Sequence, residues 1–369
     1  MSTPPARVLV VDDSVVVRRL VSDVLARQDG IEVVGTAPNG RIALQKIPQV
    51  SPDLVTLDVE MPEMDGIETL KAIRVGHPDL PVIMFSTLTE RGASVTIDAL
   101  MHGANDYVTK PANVGSVEES MARVAADLTP RIHALCGRRA APARPAPPST
   151  GGTSVAPATP HRQRATTPAG RVDLVVIGVS TGGPNAELIP ALPASLPVPV
   201  LVVQHMPAMF TRLLAERLDA HSALSVAEAA GGERIAAGEC WLAPGDRHLE
   251  VTGSSSSFSL RTHDGEKENS CRPAVDVLFR SAARVAGSHT LGVVMTGMGR
   301  DGQRGAEDLV RVGARVIAQD EASSVVWGMP GSVVEGGSAD AVVPLSGLAA
   351  EITARVGIGR VALAGGARR

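Results

Sequence analysis

The sequence predicts two doubly wound α/β domains, each a parallel sheet with helices on both faces, joined by a flexible linker. Two observations carry this. Short apolar runs alternate with segments whose apolar residues recur every three or four positions, first over 1–125 and again over 171–362. Between the two, residues 136–170 hold seven prolines and five arginines with no acid and no aromatic, too little apolar surface to offset the entropy of ordering. The expected division is therefore a first domain over 1–125, a Pro/Ala/Arg-rich linker over 126–170 and a larger second domain over 171–362.

In the first domain the runs at 7–11, 31–37, 54–57, 82–86 and 106–108 are short and rich in Val, Ile and Leu, as buried strands are. Helical spacing fills 15–27, 41–47, 66–75 and 92–102. Five such alternations over about 110 residues require crossover connections, hence a parallel sheet. In the second domain, 172–179, 198–205, 289–296 and 314–320 read as parallel strands. Segments 239–243 and 258–261 read as an antiparallel addition, and the GSSSS tract at 253–257 as a hairpin or surface loop.

Composition excludes several classes. Of 369 residues, 44% are hydrophobic and 20% charged, so the chain is globular rather than disordered. A net charge of −4 gives no global attraction to nucleic acid or anionic lipid, and no basic recognition helix follows the linker, which argues against a DNA-binding output. No apolar run reaches the roughly 18 residues of a membrane span. The N-terminal pattern, one Arg and a short apolar run ending in Asp12-Asp13, is wrong for a signal peptide. Cys136, Cys240 and Cys271 are too widely spaced for a disulfide framework. A soluble, reduced, cytoplasmic protein without membrane insertion or nucleic-acid partner is expected.

The first domain gathers acids at strand ends. Strand one closes on Val10-Val11-Asp12-Asp13-Ser14, and strand three runs from Leu57-Asp58 into Val59-Glu60-Met61-Pro62. Adjacent carboxylates at the edge of a buried sheet are costly unless a cation holds them. Ligands in open α/β sheets bind outside the strand C-termini, where Ser86-Thr87 and Thr109-Lys110-Pro111 add hydroxyls and an ammonium. Such a set suits Mg²⁺ and a phosphoryl group carried on one Asp. These motifs, with Met64-Asp65-Gly66, resemble the receiver domain of two-component response regulators. The resemblance implies a flavodoxin-like fold, Asp58 as the acceptor of phosphate from a histidine kinase, and Mg²⁺ bound by Asp12, Asp13 and Asp58. It also implies phosphoryl contacts from Thr87 and Lys110, and it matches Tyr107 to the receiver's switch aromatic, a position that equally suits a core ring.

The second domain opens with Gly178-Val179-Ser180-Thr181-Gly182-Gly183-Pro184, a Gly-x-Ser-x-Gly turn that fits a nucleophile elbow. Taken alone, the same turn suits a phosphate cradle or a helix cap. A nucleophile needs a base and the base an orienter. Gln204-His205-Met206-Pro207 puts a histidine directly after a strand, and Met295-Thr296-Gly297-Met298-Gly299-Arg300-Asp301-Gly302 ends another in a glycine-rich loop with an acid. Ser180, His205 and Asp301 thus share one sheet edge. Their order along the chain is not the Ser, Asp, His order of α/β-hydrolases.

These three motifs, together with Arg272-Pro273-Ala274-Val275-Asp276-Val277-Leu278-Phe279 and Trp327-Gly328-Met329-Pro330, resemble the catalytic domain of chemotaxis protein-glutamate methylesterases. Ala274 stands where that family pattern has Ser. The resemblance implies a serine esterase acting on γ-glutamyl methyl esters of chemoreceptor cytoplasmic domains, and on glutamine amides, with no cofactor for hydrolysis. Ser180 would attack, His205 would take its proton and Asp301 would orient the ring. Backbone N–H groups near Thr181 or Met298 would form the oxyanion hole. Two other outputs remain readable from the residues: a nucleotide- or phosphate-binding module cradling an anion at Thr181, Gly182 and Gly183, and a catalytically silent interaction domain.

Overall fold

The computed structural model describes residues 4–110, 116–137, 170–183, 185–254 and 257–358. The first domain runs β1 (Ala6–Val11), α1 (Val15–Leu25), β2 (Ile31–Ala37), α2 (Gly40–Val50), β3 (Leu54–Asp58), α3 (Gly66–Gly76), β4 (Val82–Ser86), α4 (Glu90–Met101), β5 (Asp106–Thr109) and α5 (Val117–Cys136). Its five strands are all parallel in the order β2-β1-β3-β4-β5. The helices start where short polar side chains satisfy free backbone N–H groups: Ser14 caps α1, Asn39 caps α2, and Asp65 with Glu68 forms a capping box on α3.

One boundary differs from the sequence expectation. Residues 126–136, assigned to the linker, continue α5, which begins in a second capping box of Ser116 with Glu119. Leu128 and Ile132 are fully buried in the core shared with β1 and α1. Burial of those two side chains stabilises this half of the helix by about 3–6 kcal/mol, enough to hold it despite Pro130. The expected linker beyond residue 137 and the end of the second domain at 359–362 lie outside the described residues.

The second domain comprises β6 (Leu174–Val179), α6 (Asn185–Leu188), β7 (Val200–Gln204), α7 (Ala208–His221), β8 (Ser225–Glu228), β9 (Glu239–Leu242), β10 (His248–Ser254), β11 (Ser257–His263), α8 (Val275–Val285), β12 (Thr290–Val294), α9 (Gln303–Arg311), β13 (Arg315–Gln319), α10 (Met329–Glu335), β14 (Ala341–Val343) and α11 (Leu345–Gly357). Seven strands form one wholly parallel sheet in the order β14-β13-β12-β6-β7-β9-β8. Segment 239–243 is therefore not an antiparallel addition: β9 lies between β7 and β8 and runs with both. Segment 258–261 does pair antiparallel, but with β10 in a separate two-stranded sheet in which Gly253 pairs with Phe258 and Ser254 with Ser257; Ser255 and Ser256 of the expected loop lie outside the described residues.

The domains pack together through α4 and α7. Tyr107 on β5 stacks on Phe210 of α7 at a centroid distance of 4.7 Å and an interplanar angle of 15°. Arg217 pairs with Asp98, and Arg212 reaches Glu90 at 2.8 Å. Val326, in the loop after β13, is buried in the receiver-side core that contains α5. The C-terminal edge of the second sheet thus faces the first domain.

Candidate active site and phosphoacceptor pocket

In the second sheet the chain leaves β6 for β7 on one side and returns to β12 on the other, which makes the β6–β12 crevice the topological switch point. Val179 is in register with Gln204, and Gly178 with Val294. Ser180 and His205 are accordingly the first residues past adjacent strands, and Asp301 follows in the loop after β12. Sequence reasoning placed these three at one edge, and the structure brings them there.

Ser180 is fixed through its backbone. Its N–H donates to Thr296 O at 3.0 Å, and its carbonyl accepts from Gln204 Nε2 at 2.9 Å. Gln204 is buried and in turn accepts from Asn185 Nδ2 at 3.0 Å. A Cβ on Gly297 would lie 2.7 Å from Ser180 Cβ and 2.3 Å from Met329 Sδ, so only glycine admits this approach. Gly178 plays the same part below: a Cβ there would sit 2.3 Å from Val275 Cγ1, at the start of α8.

Asp301 is 2% exposed and accepts five hydrogen bonds. Its Oδ2 takes His205 Nε2 at 2.8 Å and Val275 N at 2.7 Å. Its Oδ1 takes Asn269 Nδ2 at 2.8 Å, Asp276 N at 3.1 Å and Gly302 N at 3.1 Å. Two of these donors open α8, whose N-cap, Ala274, offers no capping side chain. Asp301 caps that helix from another element, and the positive end of the helix stabilises its charge. Burial alone would raise its pKa; the bonds from His205 and the backbone outweigh it and hold the carboxyl below its ordinary 3.8.

His205 has 12% of its side chain exposed. Burial favours its neutral form, but Asp301 on one nitrogen and Cys271 on the other prevail and raise its pKa to about 9. With Nε2 on Asp301, Nδ1 faces Cys271 Sγ at 3.7 Å. Among the described residues the Ser180 hydroxyl has no hydrogen-bond partner. Of the two expected oxyanion donors, Thr181 N already donates to Thr296 O at 3.3 Å and its hydroxyl bonds Thr296 Oγ1 at 2.9 Å, so it is spent on structure. Met298 N has no acceptor among the described residues. Asn269, Cys271 and Gln204 were missed from sequence. Gln204 lay beside a singled-out histidine, whereas nothing local marks Asn269.

A cavity of about 420 Å³ opens beside His205, lined from the second domain by Cys271 and Arg272 and from the first by Tyr107, Thr109 and Arg131. On a second front, a Cβ on Gly183 would lie 2.8 Å from Leu100 O at the end of α4. The first domain therefore borders the Ser180 turn and the His205 cavity at once.

In the first domain, Asp12 and Asp58 are buried and Asp13 is exposed, with carboxylate oxygens of all three within 4.8 Å of one another. Lys110 Nζ lies 2.8 Å from both Asp12 Oδ2 and Asp58 Oδ1. Burial first, then repulsion from Asp12, raises the Asp58 pKa from 3.8 to about 6 against the pull of Lys110. Asp58 Oδ2 is buried without a hydrogen bond. A buried acceptor left open among three carboxylates fits a hard divalent cation such as Mg²⁺. Thr87 stands half-buried at the end of β4, its hydroxyl 3.1 Å from that of Thr89.

The fold and these two sites define a class: a response regulator whose output is an α/β domain with a serine–histidine–aspartate edge. Comparison with known proteins gives the particular family. Residues 8–122 match the response regulator receiver domain and residues 175–352 match the CheB methylesterase family. A protein of Trichodesmium erythraeum named protein-glutamate methylesterase/protein-glutamine glutaminase is 49% identical over 359 residues, covering 96% of this chain and 100% of that one. One of the same name from a Nocardioides species is 54% identical over 357 residues, covering 96% of each. The crystal structure of the Thermotoga maritima CheB methylesterase catalytic domain is 43% identical, covers 50% of this chain and 98% of its own, and has a TM-score of 0.48. The chain belongs to the protein-glutamate methylesterase/protein-glutamine glutaminase family. Among the described residues, no helix is long and apolar enough to cross a membrane.

Proposed function

We propose that this protein is a phosphorylation-activated serine hydrolase that removes methyl esters from glutamates of chemoreceptors and deamidates receptor glutamines, resetting receptor sensitivity in chemotaxis. The observation that carries the reading is the Asp301–His205 pair beside Ser180, built on three strand ends of one sheet. Ser180 Oγ attacks the ester or amide carbonyl. His205 takes the Ser180 proton on Nδ1 and gives it to the departing alkoxide or amine, which leaves as methanol or ammonia, while Asp301 fixes the ring through Nε2 and stabilises the imidazolium. Water then enters, His205 again takes the proton, and the acyl-enzyme is hydrolysed to glutamate. The Met298 N–H is the candidate oxyanion donor, a role typically worth about 3 kcal/mol. An anion cradle at Thr181–Gly183 is disfavoured, because Thr181 N–H and hydroxyl are both engaged by Thr296.

In the receiver, Asp58 accepts the phosphoryl group from a chemotaxis histidine kinase, with Thr87 and Lys110 contacting its oxygens. Mg²⁺ held by Asp12, Asp13 and Asp58 supplies charge neutralisation there. Unphosphorylated, the receiver borders the Ser180 turn and the His205 cavity; a phosphoryl group adds about 1.5 to 2 negative charges beside Lys110 and shifts the population toward an opened arrangement. The cytoplasm is the compartment in which kinase and receptor domain meet.

The test is methanol release from methylated receptor membranes by wild type, Ser180→Ala and Asp58→Ala, with and without a small-molecule phosphodonor. Release that requires Ser180 and rises with phosphodonor only when Asp58 is present supports both sites. Release that survives Ser180→Ala refutes the serine mechanism.

A further inference from the structure

Cys271 and His205 come from segments 66 residues apart, yet Sγ and Nδ1 face each other at 3.7 Å, and both residues line the cavity of about 420 Å³. Hydrolysis as described above makes no use of the thiol. Three features define what the pair suits. A tetrahedral zinc-type ion, with bonds of about 2.0 Å to nitrogen and 2.3 Å to sulfur, holds its nitrogen and sulfur ligands about 3.5 Å apart. The observed separation therefore needs an adjustment of only a few tenths of an ångström. Secondly, His205 Nε2 donates to Asp301, so the lone pair of the neutral ring sits on Nδ1, the nitrogen on the Cys271 side. A carboxylate behind a histidine is the usual outer support of a metal-bound imidazole. Thirdly, five donors already occupy the Asp301 oxygens, so Asp301 orients the ring and leaves the remaining coordination positions to cavity water.

We propose that His205 Nδ1 and Cys271 Sγ form a binding site for a thiophilic divalent cation of the zinc type, and that its occupation switches hydrolysis off. The inhibitory half rests on the serine mechanism: the bound ion takes the lone pair that must accept the Ser180 proton. Binding displaces the S–H proton and, below the His205 pKa of about 9, the Nδ1 proton as well, releases both to solvent and forms one metal–thiolate and one metal–imidazole bond. No electron transfer is involved. Ligand softness separates this site from the receiver pocket, since an all-carboxylate set selects Mg²⁺ and a sulfur–imidazole pair does not. Activation and inhibition by cations thus fall on different domains.

The probe is Co²⁺ added to the full chain without phosphodonor, read by thiolate-to-cobalt charge-transfer absorption in the near ultraviolet. Wild type and Ser180→Ala both show the band, Zn²⁺ displaces it, and Cys271→Ser lacks it. In parallel, Zn²⁺ suppresses methanol release by wild type, a chelator restores it, and Cys271→Ser needs at least about tenfold more Zn²⁺ for the same suppression. Zn²⁺ also slows alkylation of Cys271 in unaltered protein, a readout independent of any variant. Absence of the band, its persistence in Cys271→Ser, or equal Zn²⁺ sensitivity of the two proteins overturns the proposal. A normal cobalt band in a protein that releases no methanol under any condition overturns the hydrolytic reading and leaves the cation site standing.

Discussion

His205 presents Nε2 to Asp301 at 2.8 Å and turns Nδ1 toward Cys271 Sγ at 3.7 Å. In the proposed mechanism the base is therefore Nδ1, the ring nitrogen nearer the backbone. Because both partners raise the His205 pKa to about 9, the metal-free enzyme is predicted to gain kcat/KM with rising pH and to level near pH 9. Asp301→Asn should lower activity about 10⁴-fold and move the inflection down toward 6.5, the ordinary histidine value. A pH–rate profile of both proteins checks this. The same shift links to stability: it stabilises the fold fully below pH 6.5, and that contribution is lost as pH rises through about 9.

Asp58 carries a stability cost that its replacement should reveal. Its pKa is about 6 in the fold against 3.8 unperturbed, so the charged form is disfavoured in the native state. Stability from this group is complete below pH 3.8 and is lost as pH rises through about 6. Asp58→Asn is predicted to raise the stability of the unphosphorylated protein at pH 7 by about 1–3 kcal/mol, with the gain vanishing near pH 4. Denaturant unfolding at the two pH values reads it directly. The same variant loses all response to phosphodonor.

Tyr107 and Phe210 form the aromatic contact between the domains. A stacked pair contributes about 0.5–1.5 kcal/mol beyond its buried area, so Tyr107→Ala should raise the rate of unphosphorylated protein about two- to twelvefold. The phosphorylated rate should stay the same. Replacing Arg212, which is 46% exposed, should change either rate less than Tyr107→Ala does, since solvent screens an exposed ion pair. Steady-state assays with and without phosphodonor separate these outcomes.

Gly297→Ala tests how tightly the nucleophile is held. The added methyl would meet Ser180 Cβ and Met329 Sδ well inside contact distance. A displacement of about 1 Å costs on the order of 10²-fold in rate. The expected signature is a fall in kcat with intact receiver phosphorylation, measured by methanol release alongside phosphate incorporation.

The sequence disclosed what is written at strand ends. Asp12, Asp58, Ser180, His205 and Asp301 each follow an apolar run, and a parallel sheet brings such positions to one edge. What stayed hidden depends on pairing between distant segments. The direction of β9 is decided by its neighbours β7 and β8, and the loss of Thr181 as a donor is decided by Thr296 on another strand. The continuation of α5 was legible in part, since Ser116 and Glu119 spell a capping box; the arginine- and proline-rich residues beyond it obscured where the helix stops. The Cys271–His205 contact arises from the loop before α8, where Asn269 and Ser270 adopt positive φ, and no local pattern announces it.

The central place of β6 has a consequence for how the hydrolytic domain is divisible. Ser180 and His205 come from the chain before the β10–β11 hairpin, and Asp301 from the chain after it. Neither half holds all three proposed relay residues, and β6, the strand before Ser180, is the seam along which the halves join through β12. On the proposed mechanism, a cut between Ser254 and Ser257 would divide the relay between two fragments, so that activity would require their reassembly and would report their proximity.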